Sequence, residues 1–192
     1  ADVSFLPAAD PPHRAAPGAS AEQRAQMLEL ATAGHAGFRV DRREARRTGP
    51  SYTADTLREL RGQQGPQAPL VWLLGADAFR GLPTWHRWHE IFALAHVIVV
   101  ARPGVAVADG MPEALRAEWS ARWTPDPAVL FSTPAGAIYR QAITPQPVAA
   151  TAIRAQLARG AAGRQAVAGL LPPAVLSYID QHRLYLPRPD AT

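Results

Sequence analysis

The sequence predicts an α/β fold, a doubly wound parallel sheet, on three observations. Leu70-Val71-Trp72-Leu73-Leu74 is an unbroken apolar run, the pattern of a strand buried on both faces of a parallel sheet. Val97-Ile98-Val99-Val100 is a second such run. Strand and helix patterns alternate along the chain, as a parallel sheet with crossover helices requires. Ligands of open α/β sheets sit beyond the carboxyl ends of the strands. Here those ends read Gly75-Ala76-Asp77 and Ala101-Arg102-Pro103-Gly104, offering a glycine, an acid and a cation where a nucleotide-sized ligand would lie.

The elements follow in order. Val3 to Leu6 is a short strand, followed by a proline-rich loop from Pro7 to Ala19. Ser20-Ala21-Glu22-Gln23 is a capping box: the serine accepts from the backbone at Gln23, and Gln23 reaches back. The helix it opens carries Met27, Leu28 and Ala31 on one face and stops near Gly34. Phe38 to Val40 is a weak strand, and Asp41 to Arg47 a charge run that reads as a solvated connection. Gly49-Pro50-Ser51-Tyr52-Thr53 turns into a second helix, with Thr53 as its N-cap, Asp55 in the first turn and Leu57 and Leu60 on its apolar face. After the Leu70 strand, a helical segment runs to about Ala95, then comes the Val97 strand. A surface helix spans about Pro112 to Trp123, and Val129-Leu130-Phe131 reads as a further strand. Thr151 to Arg159 and Ala174 to His182 read as short helices, the second with Pro173 near its first position. Residues 187–192 read as a frayed tail.

Composition sets outer limits. At 192 residues the chain reads as one domain, residues 1–192, large enough to bury roughly 70% of its unfolded surface. It has no cysteine, which excludes disulfides, thiolate nucleophiles and cysteine-ligated zinc. The longest apolar run, Ile91 to Ala101, is interrupted by His96 and too short to span a bilayer, so a cytoplasmic protein without membrane association is expected. The isoelectric point of about 10.3 invites a nucleic-acid reading. Every one of the 20 basic residues is arginine, however, whose very high pKa inflates that value while the net charge is only +4. The arginines are scattered, with no basic stripe interleaved with aromatics.

Three constellations could carry chemistry. Trp85 and Trp88 flank His86 and Arg87, with His89 next; on a helix the two indoles would share a face, as would the two imidazoles. A metal reading of the histidines lacks a third ligand, and no metal site is expected. One tryptophan is expected only to pack, and the one after Pro83-Thr84 to meet a planar ligand. Pro11-Pro12-His13-Arg14 places an imidazole beside a guanidinium, suited to a phosphate or carboxylate. At Val148 to Arg154 a helix opens whose free N–H groups would attract an anion, with Arg154 one turn in; a plain cap with a solvent-facing arginine fits the spacing as well. No P-loop, glycine-rich phosphate loop or Ser-His-Asp spacing is present.

Taken together, Gly75-Ala76-Asp77, Leu82-Pro83-Thr84-Trp85-His86-Arg87-Trp88, Ala95 to Gly104, Pro11 to Arg14, Gly49 to Thr53 and the Thr151-to-Arg154 helix start resemble the bacterial nicotinate-mononucleotide adenylyltransferases, in that family's order and spacing over nearly the whole chain. The resemblance implies a Rossmann-like nucleotidyltransferase fold and transfer of the adenylyl group of ATP to nicotinate mononucleotide, with Mg²⁺ accompanying ATP. It implies that Trp85 stacks on the nicotinate ring and that the backbone around Thr53 and His86 receives the carboxylate. His13 and Arg102 would lie along the phosphate path, Gly75 and Asp77 on the adenosine side, and Thr151 and Arg154 on the ATP phosphates. Small-molecule substrates are the expected partners, nucleic acid and membrane are not, and a homo-oligomer is left open.

Two departures stand out. The family's first βα unit, with its Gly-Gly-Thr-Phe-Asp-Pro loop and His-x-Gly-His motif, is missing from these residues, so the domain reads as N-terminally incomplete. Arg154 is then the one catalytic candidate, and negligible transfer is expected if the unit is truly missing. Ala149 stands where the family usually has serine, and Ala8-Ala9 replace polar residues. Two rivals remain: a sister nucleotidyltransferase acting on phosphopantetheine, and a non-catalytic nucleotide- or RNA-binding module.

Overall fold

The computed structural model describes residues 2–9, 18–101, 107–144, 146 and 148–186. His13, Arg102 and the expected tail at 187–192 lie outside the described residues. The chain divides into two compact units, one of Ala1–Ser51 with Gln146–Thr192, the other Tyr52–Pro145.

In the first unit, β1 (Val3–Phe5) pairs in parallel with β2 (Phe38–Val40), Val3 opposite Phe38. The crossover between them is α1 (Ala21–Thr32). Its capping box forms as expected: the Gln23 amide donates to Ser20 Oγ at 3.2 Å and the Ser20 amide to Gln23 Oε1 at 2.8 Å. Met27, Leu30 and Ala31 lie against a core of Ala19, Leu157, Val167, Val175, Leu176, Ile179 and Leu184. Three helices complete the unit: α7 (Ala150–Leu157), α8 (Ala161–Val167) and α9 (Pro173–Gln181). The second of these, rich in alanine and glycine, gives too faint an apolar period to be read from sequence.

The charge run 41–47 is not simply solvated. Arg42 is only 16% exposed and grips Glu29 through two 2.7 Å hydrogen bonds, with Glu22 as a further partner. Glu44 is buried. A planar guanidinium facing two carboxylates about two turns apart on α1 converts a charged loop into a clasp on the helix. The hydrogen bond from Arg42 holds the Glu29 carboxyl below its ordinary pKa.

The second unit is built on the parallel sheet β3-β4-β5, comprising Val71–Gly75, His96–Ala101 and Ile138–Ala142. Val71 lies opposite His96 and Val97 opposite Ile138. Around the sheet are α2 (Thr53–Gln64), α3 (Ala76–Arg80), a 3₁₀ turn (Leu82–Thr84), α4 (Glu90–Leu94), α5 (Glu113–Arg122) and α6 (Val129–Ser132). Leu57, Phe79, Leu82, Ile91, Phe92, Val97, Val99, Leu115 and Ile138 are its buried centre.

Three sequence expectations are corrected. The Leu70–Leu74 run is not covered on both faces: Leu74 is buried but Leu73 is 54% exposed. The strand it belongs to, β3, is the edge of its sheet, and the doubly covered strand is the central β4. Val129-Leu130-Phe131 is not a strand but the short helix α6, opened by the Asp126 carboxylate, which accepts from the Ala128 amide at 2.9 Å. Three apolar residues cannot distinguish the two periods, and the true strand begins at Ile138. Thr53 is the first helical residue of α2 rather than its N-cap; the cap is Tyr52, which makes no side-chain capping bond.

Two polar side chains hold the loops of this unit. His96, fully buried, accepts the Ala137 amide at Nδ1 (3.0 Å), so Nε2 carries the proton and donates to the Thr133 carbonyl at 2.8 Å. Arg61 donates to the carbonyls of Leu94, Gly65, Ala68 and Pro134, stitching α2 to the end of α4 and to two loops.

Candidate functional site

Among the described residues, the expected site residues fall at the exit of β3, in the turn before α4, and at the starts of α2 and α7. At the exit of β3, Gly75 adopts φ −69°, ψ 153°, open to any residue, and caps α3. A side chain added there would meet nothing within 4 Å. Neither backbone strain nor a close neighbour requires glycine at this position. Asp77 follows, its side chain 96% exposed and paired with Arg80. An ionised carboxylate so engaged keeps lone pairs for a further donor such as a ribose hydroxyl.

The Trp85–His89 segment departs from the helical reading. Trp85 is extended (φ −82°, ψ 146°), its amide donating to the Leu82 carbonyl at 2.9 Å. Arg87 adopts the left-handed conformation with φ 53°, and α4 starts only at Glu90. This reversal separates residues that helical spacing would have aligned. Trp88 turns inward, 8% exposed and edge-on to Phe92, with ring centroids 6.2 Å apart. Trp85 remains half-buried at the margin of the same core. One indole packs and the other keeps an accessible part.

The two histidines also part. His89 lies against Trp88 and meets Glu118 at 3.2 Å, while His86 lies against the ring of Tyr52, centroids 4.4 Å apart. Among the described residues, no group of three or more His, Asp or Glu side chains is arranged to hold a metal ion. Glu118 accepts from Arg122 and His89, and the Arg122 hydrogen bond above all lowers its pKa. Glu90, between Arg58 and Arg87, is likewise lowered, chiefly by Arg58.

Sequence reasoning placed Tyr52 in the turn before Thr53 and assigned its side chain no role. Its carbonyl accepts from the amides of Asp55 and Thr56, both at 3.1 Å, so the helix springs directly from it. The amides of Thr53 and Ala54 have no intrahelical acceptor, as in the first turn of any helix. Through the Tyr52–His86 contact, Thr53 and His86 are brought into one neighbourhood.

In the other unit, α7 begins after Ala149, which offers no side-chain cap. Thr151 and Arg154 are both exposed, with Arg154 Nη2 3.5 Å from Thr151 Oγ1. Arg154, Arg24 and Tyr185 also rim a largely apolar cavity of about 440 Å³ that includes Met27, Ile153 and Val175. Burial raises the Tyr185 phenol pKa, and the two guanidiniums oppose the rise.

Comparison with known proteins follows the same lines. Residues 3–156 match the cytidylyltransferase-like family model. A protein of Stenotrophomonas maltophilia (strain K279a) named "Probable nicotinate-nucleotide adenylyltransferase" is 47% identical over 95% of this chain and 83% of its own length. A protein of the same name from Laribacter hongkongensis (strain HLHK9) is 48% identical, over 96% of this chain and 81% of its own. The solved Plasmodium falciparum nicotinic acid mononucleotide adenylyltransferase complexed with NaAD shares the fold. Its TM-score is 0.67 at 12% identity, over 96% of this chain and 82% of that one. The parallel strands with their crossover helices, the family match and the near full-length identity agree: the chain belongs to the cytidylyltransferase-like family, among the nicotinate-nucleotide adenylyltransferases.

Proposed function

We propose that this protein transfers the adenylyl group of ATP to nicotinate mononucleotide, giving nicotinate adenine dinucleotide and pyrophosphate in NAD biosynthesis. One observation carries the reading: 46–48% identity, across about 95% of the chain, to three relatives all named for that activity. The chemistry suits the residues. A phosphate oxygen of the mononucleotide attacks the α-phosphorus of ATP and the bond to pyrophosphate breaks, so no protein nucleophile is needed. Alignment and positive charge do the work instead.

In this reading Trp85, half-buried after the Leu82–Thr84 turn, stacks on the pyridine ring. The amides around Thr53 and His86 receive the carboxylate. Gly75 and Asp77 line the adenosine, with Asp77 accepting from ribose hydroxyls. Thr151 and Arg154 take the ATP phosphates, Arg154 supplying the charge that stabilises the transition state. His13 and Arg102 are assigned to the phosphate path on sequence alone. Mg²⁺ enters with ATP, carried by the triphosphate and water. The partners are these small molecules. Among the described residues no helix is long and apolar enough to cross a membrane.

The test is pyrophosphate release, by the protein carrying the family's first βα unit ahead of these residues, with ATP and either nicotinate mononucleotide or phosphopantetheine. Release with the first alone is expected. Release with phosphopantetheine alone overturns the acceptor assignment. RNA binding that weakens steeply with salt, without pyrophosphate release from either acceptor, overturns the enzymatic reading.

A further inference from the structure

We infer that Tyr52 is a positioning residue for the acceptor end of the site: its ring, packed on His86, sets the separation between the first-turn amides of α2 and the Trp85–His86 turn. The inference rests on the function proposed above and assigns a role to a side chain that reading leaves idle.

Tyr52 occupies the N-cap of α2 with extended backbone (φ −108°, ψ 136°) and makes no capping bond. A helix start without a Ser, Thr, Asp or Asn cap forgoes the stabilisation a capping side chain supplies. What the position gains is a ring that reaches the imidazole of His86, centroids 4.4 Å apart and planes tilted by 35°. The backbone of Tyr52 leads directly into the Thr53 and Ala54 amides, and that of His86 directly follows Trp85. The ring contact therefore fixes how far the proposed carboxylate donors stand from the proposed stacking surface.

A second strut crosses the same gap. Arg58 of α2 pairs with Glu90, and Glu90 also accepts from Arg87, the residue whose left-handed backbone turns the segment. Exposed ion pairs of this kind hold geometry weakly. The packed ring pair is the stiffer member. Two carboxylate-binding amides and an indole must be matched to a rigid planar acceptor, and small errors in such spacing weaken binding sharply. ATP makes no use of this spacing in the proposed arrangement.

The experiment is a double-mutant cycle on the protein carrying the family's first βα unit, with KM measured separately for nicotinate mononucleotide and for ATP. Y52A is expected to raise KM for nicotinate mononucleotide roughly 10-fold while leaving KM for ATP within about twofold. H86A is expected to do the same, the double variant no more than either, and Y52F to restore ordinary values. In the parent protein the His86 ring protons should be shifted upfield by the tyrosine ring, a shift lost in Y52A. Should Y52A fail to fold, Y52L and H86A carry the same comparison. An unchanged KM for nicotinate mononucleotide, an equal rise in both KM values, or Y52F behaving as Y52A overturns the inference. No turnover of nicotinate mononucleotide by the parent protein instead overturns the function on which it rests.

Discussion

Gly163 of α8 lies so close to Gln156 of α7 that a methyl group built on it would sit 1.7 Å from the Gln156 carbonyl oxygen. The obstacle is backbone, which cannot swing aside, so only glycine permits this approach of the two helices. The helix held in this way is the one that carries Thr151 and Arg154. Gly163→Ala should therefore force the helices apart and destabilise the protein by roughly 1–3 kcal/mol, the range of core overpacking. Urea denaturation should show a lower midpoint with an unchanged slope, and KM for ATP should rise in parallel.

Arg61 makes five hydrogen bonds to four backbone carbonyls, among them two to Leu94 at 3.2 and 2.6 Å and one to Pro134 at 2.8 Å. Methionine would keep much of the aliphatic stem and strand those acceptors. Arg61→Met should lower stability by about 2–4 kcal/mol, and Arg61→Lys should recover only part, because an ammonium cannot span the same fan of carbonyls. Thermal unfolding of the three proteins checks the order.

The carboxyls of Glu29 and Glu118 have lowered pKa values in the folded protein, owing first to Arg42 and Arg122 respectively. A folded-state pKa below the unfolded one means that the stabilisation is complete above the unfolded value, near 4.3. It is then lost as pH falls through the folded value. Stability should be flat near neutrality and decline below about pH 4.5. Arg122→Met should remove part of that acid dependence, seen as a shallower fall in unfolding free energy between pH 5 and pH 3.

The proposed roles of Trp85 and Arg154 differ in kind and should separate kinetically. Trp85→Ala removes a stacking surface and should raise KM for nicotinate mononucleotide roughly 10-fold, with a smaller change in kcat. Arg154→Ala removes charge aimed at phosphates and should cut kcat about 100-fold or more. Steady-state kinetics on each variant, with both substrates varied, makes the comparison.

Much of this was readable in advance. The apolar runs of β3 and β4 and the Ser20–Gln23 box pointed to the fold from local pattern, and the ordered motifs from Pro11 to Arg154 pointed to the family by resemblance. These signals are carried by residues within a few positions of one another, where spacing and side-chain chemistry suffice. What escaped were matters of long-range pairing. Leu73 looked buried because a run of five apolar residues does not announce that its strand is an edge. Trp85 and Trp88 looked aligned because nothing local signals the left-handed turn at Arg87.

The chain's own order of residues determined that it builds parallel strands with crossover helices and belongs to this family. Folding alone decided which indole packs, that Arg42 clasps α1, and that the ring of Tyr52 meets His86. Burial and ring contact depend on partners tens of residues distant, and those are chosen only when the whole unit closes around its core.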